Sequence, residues 1–115
     1  MFPGKSSKLI TAEKHLINEF KKQANRKPIE FPINLMMLFY FRRDIFYTKR
    51  GTQSKRLPDL SNLYQLPEDC LQQAGIITND TIVSGHDGSR RMPISFRQTG
   101  IDLDLNYLEI IITEM

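Results

Sequence analysis

Apolar residues recur at helical spacing near the amino end of the chain and then form a continuous run. Between residues 12 and 25 they fall on one face, and Thr11 is a suitable N-cap, so we predict a helix there. Residues 33–41 read INLMMLFYF and are apolar on both alternating faces apart from Asn34. Such a run is typical of a central strand that is covered on both sides.

The second half of the chain shows shorter apolar segments separated by turn residues. A second amphipathic helix is predicted over about 62–74, with a kink or a restart at Pro67. A short strand is predicted at Thr81–Ser84, a turn at Gly85–Arg90 and a last strand at Tyr107–Thr113. Together these elements predict one small α/β (α+β) domain, residues 1–115, in which a mixed β-sheet carries two main helices.

Composition and the single cysteine restrict the class of protein. With 115 residues, 40% hydrophobic and 25% charged, the chain has the size and composition of one globular domain. Cys70 lies on the apolar face of the second predicted helix, so we expect a buried thiol, no internal disulfide and no cysteine-based zinc cage. No run is long enough to span a bilayer and none resembles a signal peptide, so we expect a cytoplasmic protein with no membrane partner.

Charge is distributed unevenly along the chain. Residues 1–56 hold 13 of the 16 Lys and Arg but only 4 of the 13 acids, whereas residues 57–115 hold 3 and 9. The two halves are either differently solvated faces or a phosphate-binding half beside a cation-binding half. The positive charge is concentrated in a basic loop that contains Arg42, Arg43, Lys49, Arg50, Lys55 and Arg56. Phe46 and Tyr47 within this loop either stack on bases or anchor the loop to the core.

Two aspartates flank the second predicted helix. Asp59 precedes it in the turn PDLSN, and Asp80 follows it after Gly75. Taken alone, Asp59 is typical of a helix N-cap and Asp80 of a turn. Two carboxylates that converge on a hard divalent cation, next to a basic loop, would instead be the components of a metal-dependent nuclease.

The acidic turn, the helix and the last strand together resemble the RusA-type Holliday junction resolvases, over roughly residues 9–115. That family has a D-L-D-N-L-x-K turn and an acidic pair placed 20 and 21 residues after its first Asp. Four residues of this chain match the turn, namely Asp59, Leu60, Asn62 and Leu63, and Asn79-Asp80 occupy the positions of the acidic pair. Further similarity lies in Ala74-Gly75-Ile76, in the HDGSR sequence at 86–90 and in the carboxyl-terminal strand.

The resemblance implies a homodimeric endonuclease that resolves four-way DNA junctions in recombination and repair, in a bacterium or its phage. It implies Mg²⁺ as the cofactor, with Mn²⁺ as a substitute. It places the catalytic site at Asp59, Asp80, Ser61 and Gln65, with the two aspartates as metal ligands. Asn62, Asn79 and Asp87 would support these residues, and the six cations of the basic loop would bind the arms of the junction.

The chain departs from the family pattern at two site positions. Ser61 replaces the second Asp of the turn and offers only a neutral oxygen to a metal. Gln65 replaces the lysine and can donate a hydrogen bond but no charge. An alternative function is therefore a catalytically weakened or inactive protein that binds branched DNA without cutting it. An RNA-binding domain is a third hypothesis, and the chain lacks the aromatic platform motif that it would need.

The beginning of the chain also differs from the family. Residue 1 falls where the first strand of the family has already passed, so either a strand at the sheet edge is missing or the sequence comes from a truncated reading frame. A bare edge would need to be covered by residues 1–8 or by a partner.

Overall fold

The computed structural model describes residues 7–24, 27–103 and 106–115. The helices are α1 (Ser7–Gln23), α2 (Arg43–Phe46), α3 (Leu60–Leu63) and α4 (Gln65–Gln73), and a 3₁₀ turn spans Asp80–Ile82. The strands are β1 (Ile33–Phe41), β2 (Val83–Gly85), β3 (Arg90–Pro93), β4 (Ile101–Asp102) and β5 (Tyr107–Glu114).

The five strands form one mixed sheet with β1 at its centre. Strands β2 and β3 both pair with β1 in parallel, one after the other along the same edge. On its other side β1 pairs antiparallel with β5, from Ile33 opposite Glu114 to Tyr40 opposite Tyr107. A short hairpin adds β4 to β5. The predicted α+β domain with a mixed sheet is therefore confirmed.

The core lies between one face of the sheet and the two longest helices. The alternate β1 residues Ile33, Leu35, Met37 and Phe39 are buried there. Helix α1 contributes Leu16 and Phe20, helix α4 contributes Cys70 and Leu71, and β5 contributes Leu108. Cys70 is completely buried and is not in a disulfide, as the sequence predicts.

The opposite face of β1 differs from the prediction of a strand covered on both sides. Asn34, Met36, Leu38 and Tyr40 point to that face and are only half-buried. Ile111, which pairs with Met36, is 45% exposed. The strand is central in the sheet, but only the face beneath the helices is fully buried. A largely apolar face thus remains in partial contact with solvent.

Element boundaries depart from the sequence prediction at both helices. Helix α1 begins at Ser7, so Thr11 lies inside it and is not its N-cap. The second helix is interrupted at Tyr64, so it consists of α3 and α4. Pro67 falls in the first turn of α4, where its missing N–H would have had no helical acceptor. The predicted interruption is therefore present, three residues earlier than Pro67.

The segment after α4 is also less regular than predicted. The strand expected at Thr81–Ser84 is wrong in its first half, because Asp80–Ile82 forms a 3₁₀ turn and the strand is Val83–Gly85. The turn expected at Gly85–Arg90 ends in β3, which the sequence did not predict because its arginines and Pro93 mask the alternation. Inside the basic loop, the short helix Arg43–Phe46 was likewise not predicted.

The sheet has an open edge at β5. Strand β4 pairs only with Tyr107 and Leu108. Within the described parts of the chain, no strand pairs with the outer edge of β5 from Glu109 onward. The expected missing edge strand stays a prediction, and residues 1–6 lie outside the described residues. No helix among the described residues is long and apolar enough to cross a membrane.

Candidate functional site

Asp59 occupies the N-cap position of α3 without capping it. Its backbone is extended, with φ −62° and ψ 144°, and its carbonyl accepts a hydrogen bond of 3.0 Å from the Asn62 backbone N–H. Its side chain makes no capping hydrogen bond and is exposed. The carboxylate oxygens are therefore not engaged in stabilising the helix and face solvent at the start of α3.

The turn before Asp59 is fixed to the sheet by an arginine that the sequence reasoning missed. Nη1 of Arg91 donates a hydrogen bond of 2.9 Å to the carbonyl oxygen of Pro58. Arg91 lies on β3, in register with Phe39. It holds the residue next to Asp59 against the edge of the sheet, through a contact across 33 residues that no local sequence pattern signals.

Asp80 begins the 3₁₀ turn that leads into β2, and it too is exposed. The neighbouring Asn79 caps this turn, because its Oδ1 accepts a hydrogen bond of 3.0 Å from the Thr81 backbone N–H. Asn79 therefore fixes the backbone around Asp80.

The segments near the two aspartates are tied to different residues of β1. Val83, three residues after Asp80, pairs with Ile33, whereas Arg91, which holds the Asp59 turn, pairs with Phe39. Among the described residues no cluster of three or more His, Cys, Asp or Glu side chains could hold a metal. Convergence of the two carboxylates on one cation stays a prediction.

The HDGS turn between β2 and β3 is locked onto β1 by side chains that replace strand hydrogen bonds. Oγ of Ser89 accepts from the Met37 backbone N–H at 2.9 Å and donates to the Leu35 carbonyl at 3.3 Å. The Asn34 amide accepts from the Asp87 backbone N–H at 2.8 Å and donates to the Asp87 carbonyl at 3.1 Å. The Asp87 carboxylate remains exposed. This interruption of the parallel edge acts like a bulge and redirects the preceding side chain.

The redirected side chain is His86, which packs against the start of α4. Its Nε2 pairs with the Glu68 carboxylate, and its ring stacks on Tyr64 with centroids 3.9 Å apart and planes at 4°. The His86 and Glu68 side chains are only 28% and 13% exposed. The pair links the interrupted edge strand to the helix that follows Asp59. Its members are 18 residues apart, so sequence spacing gave no sign of it.

Ser61 and Gln65, the two substituted positions, lie on α3 and α4. Ser61 is exposed, and so is Asn62 beside it. The Gln65 amide donates a hydrogen bond of 3.0 Å to the Asp69 carboxylate one turn further along the helix. Gln65 is therefore directed along α4 toward a carboxylate, and a lysine at this position would meet the same group.

The six cations of the basic loop are not equivalent. Arg42 forms a two-point contact with Asp44, at 3.0 and 2.6 Å, and Arg43 donates from Nε to the Ile94 carbonyl at 3.2 Å. The other four are exposed and form no ion pair within the described ranges: Lys49, Arg50, Lys55 and Arg56. No described carboxylate neutralises these four cations, whereas the contacts of Arg42 and Arg43 leave only part of each guanidinium group for phosphates.

One of the two aromatic residues of the basic loop is buried. Phe46 is buried and meets Tyr47 edge to face, with centroids 4.9 Å apart and planes at 80°. Of the two alternatives that the sequence left open, anchoring to the core is therefore the one observed for Phe46.

The contact between His86 and Glu68 can be tested through its energetic coupling. His86→Phe keeps a ring that stacks on Tyr64, and Glu68→Met keeps the aliphatic stem. Because the pair is largely shielded from water, we expect a coupling of about 1 kcal/mol in a double-mutant cycle of urea unfolding free energies. The exposed pair Lys22–Glu19 serves as a control and should give about 0.3 kcal/mol. Additive effects at positions 68 and 86 would contradict the contact.

Comparison with known proteins supplies the family. No curated protein matches the chain at a significant level. The family model described as Endodeoxyribonuclease RusA matches residues 5–92, which include Asp59, Asp80 and the HDGS turn. The match spans more than half of the sequence and contains every element of the site described above. The chain therefore belongs to the RusA endodeoxyribonuclease family.

Proposed function

We propose that the protein is a divalent-metal-dependent endodeoxyribonuclease that nicks four-way DNA junctions. The observation that carries the proposal is the Asp59 turn: in a chain of the RusA family, its carboxylate is exposed, does not cap the helix and follows a backbone held by Arg91. If Asp59 were only a structural N-cap, its carboxylate would accept a hydrogen bond from the first backbone N–H groups of the helix.

The donor atoms fit Mg²⁺, and equally Mn²⁺. Both ions prefer hard oxygen ligands, and Mg²⁺ is commonly bound by one or two carboxylates together with substrate phosphates. The residues that would hold it are Asp59 and Asp80. When bound, such an ion lowers the pKa of a water and stabilises charge on the phosphate under attack. The neutral hydroxyl of Ser61 adds an oxygen donor but no charge, which predicts a weak site.

The remaining residues of the site have roles that follow from their contacts. Arg91 keeps the Asp59 turn against the sheet, and Asn79 fixes the backbone at Asp80. The exposed Asn62 and Asp87 are suited to orient water or ligands beside the aspartates. The free cations of the basic loop would bind the arms of the junction through their phosphates.

Nicking of a labelled four-way junction in Mg²⁺ tests the proposal. Asp59→Asn and Asp80→Asn should each lower nicking by at least about tenfold, because each removes an anionic ligand at nearly constant size. Glu30→Gln, an exposed carboxylate that precedes β1, should leave the rate unchanged. Ser61→Asp with Gln65→Lys should raise nicking above that of the starting protein, and adding Asp59→Asn should cancel the gain.

Two results separate the proposal from its alternative. In the first, the protein binds the junction but nicks it in neither Mg²⁺ nor Mn²⁺, and the double substitution restores activity. The protein would then be a weakened family member that only binds branched DNA. Vigorous nicking that Asp59→Asn does not affect would place the catalytic site elsewhere in the chain.

Phosphate binding by the basic loop predicts a steep salt dependence. Replacing Lys49, Arg50, Lys55 and Arg56 by Ala should weaken junction binding and reduce the slope of log K against log salt by about 3 to 4, since each phosphate contact releases about one counterion. The matched control replaces four cations outside the loop, Lys14, Lys21, Lys22 and Lys27. Equal slopes for the two quadruple variants would mean that the loop is a solvated face.

We further propose a homodimer. Paired nicks in a symmetric junction require two sites, and the half-buried face of β1 and β5 offers apolar surface for a second copy, including Met36, Leu38 and Ile111. Light scattering at tens of micromolar should give about twice the chain mass of 13.4 kDa. Ile111→Lys should shift the protein toward the monomer, and a strict monomer of the unmodified chain would refute the dimer.

A further inference from the structure

Phe96 is the most exposed large apolar side chain in the described parts of the molecule. Its accessibility is 99%, against 69% for Met115 and 45% or less for the others. It lies in the loop Ile94–Gly100, which joins β3 to β4. A single exposed apolar residue is common on protein surfaces and by itself indicates nothing. Whether Phe96 has a function depends on the loop that carries it and on the groups that surround it.

The loop is closed by its own hydrogen bonds. At its start, the Ile94 backbone N–H donates to the Phe41 carbonyl at 2.8 Å. The Gln98 side chain then bridges the turn: its Oε1 accepts from the Ser95 backbone N–H at 3.0 Å, and its Nε2 donates to the Thr99 carbonyl at 2.9 Å. Phe96 thus projects from a turn whose two sides are joined beneath it.

The end of the loop is fixed to the sheet. Oγ1 of Thr99 donates to the Glu109 carboxylate at 2.7 Å. Gly100 has a φ of +111°, and a Cβ there would lie 2.8 Å from the Leu108 carbonyl oxygen, so the loop approaches β5 as closely as glycine allows. Burial, and after it the Glu109 carboxylate, raises the pKa of Tyr40, whose hydroxyl contacts Gln98 and Glu109. Because these contacts already fix the backbone of the loop, binding through Phe96 orders mainly its side chain.

Arginines border the exposed ring. A shallow cleft of about 430 Å³ is lined by Phe96 with Ile94 and Ser95, by Arg42 and Arg43, and by Asp44, the ion-pair partner of Arg42. Arg43 is tied to the loop through the Ile94 carbonyl, and Arg97 follows Phe96 directly in the chain. An exposed aromatic face with guanidinium groups beside it has the chemistry for a DNA base and its flanking phosphates.

We propose that Phe96 stacks on a base at the branch point of the DNA junction, while Arg42 and Arg43 contact the phosphates next to that base. The proposal rests on the proposed function, because it needs branched DNA as the ligand. A branch point is a favourable place for such a ring, because base stacking is already interrupted there. Inserting the ring therefore costs less free energy than unstacking bases inside a duplex.

The test compares Phe96→Ala with Phe31→Ala, which removes another exposed phenylalanine, 44% accessible, before β1. Binding is measured in chelator, so that no cutting occurs, on a four-way junction and on a linear duplex of the same sequence. Loss of one base–aromatic contact should weaken junction binding by Phe96→Ala about tenfold. Duplex binding should stay within about twofold, and Phe31→Ala should match the starting protein on both DNAs.

A fluorescent adenine analogue placed at the branch point gives a second readout. Its emission should change when the unmodified protein binds, should not change with Phe96→Ala, and should change again with Phe96→Trp, which restores a stacking ring. Because Phe96 is exposed, the thermal midpoint of these variants should equal that of the starting protein.

The outcomes distinguish this proposal from the function on which it rests. If Phe96→Ala keeps the full junction affinity and the full emission change, the stacking role is wrong while junction binding stands. Equal losses on junction and duplex also overturn it, since they would mean a general contact with DNA. If the unmodified protein does not bind the junction at all, both the stacking role and the proposed function are wrong.

Discussion

The hydrogen bonding of β1 to the interrupted edge formed by β2 and β3 determines where the charged groups of the site lie. A continuous parallel strand would present side chains alternately to the core and to solvent. Here the Ser89 hydroxyl and the Asn34 amide take over the strand hydrogen bonds across four residues. As a consequence the edge strand resumes at Arg90, with Arg91 placed to reach the Asp59 turn and His86 turned toward α4.

That arrangement explains how a small domain supports an exposed carboxylate on a defined backbone. The turn that carries Asp59 belongs to a helix of only four residues, which has little stability of its own. The contact from Arg91 and the packing of His86 between Tyr64 and Glu68 hold this segment from the sheet side. The basic loop is held in a similar way through the buried Phe46. Charged residues of both signs can therefore remain in solvent while the backbones beneath them are fixed.

Sequence alone predicted the elements that have strong periodicity. Regular apolar patterns mark strands β1 and β5 and helices α3 and α4. The approximate positions of these elements could therefore be predicted from the sequence. Strand β3 did not, because the two arginines and the proline of Arg90–Pro93 become a strand only through pairing with β1. Helix α1 begins at Ser7, four residues before Thr11, so the local capping signal at Thr11 was misleading.

The residues of the candidate site likewise include some that the sequence indicates and some that it does not. Spacing and family resemblance single out Asp59 and Asp80, whose role as metal ligands stays a prediction. The contacts of Arg91, His86 and Glu68 could not be predicted, because they span 18 or more residues. The phenylalanines show most clearly that burial could not be predicted from the local sequence. Phe46 lies among cations in the sequence but is buried, while Phe96 lies in the polar sequence ISFRQT and is exposed. Local composition does not report which of two phenylalanines faces the core.

The open edge of β5 has a consequence for how copies of this chain can associate. Three consecutive isoleucines on that edge, Ile110–Ile112, would favour sheet extension from one molecule to the next. In the symmetric antiparallel alignment that sets Ile111 of each chain opposite Ile112 of the other, Glu109 of each would face Glu114 of the other. Like charges directly opposite one another disfavour that register. The glutamates thus disfavour edge-to-edge pairing of two copies in that register.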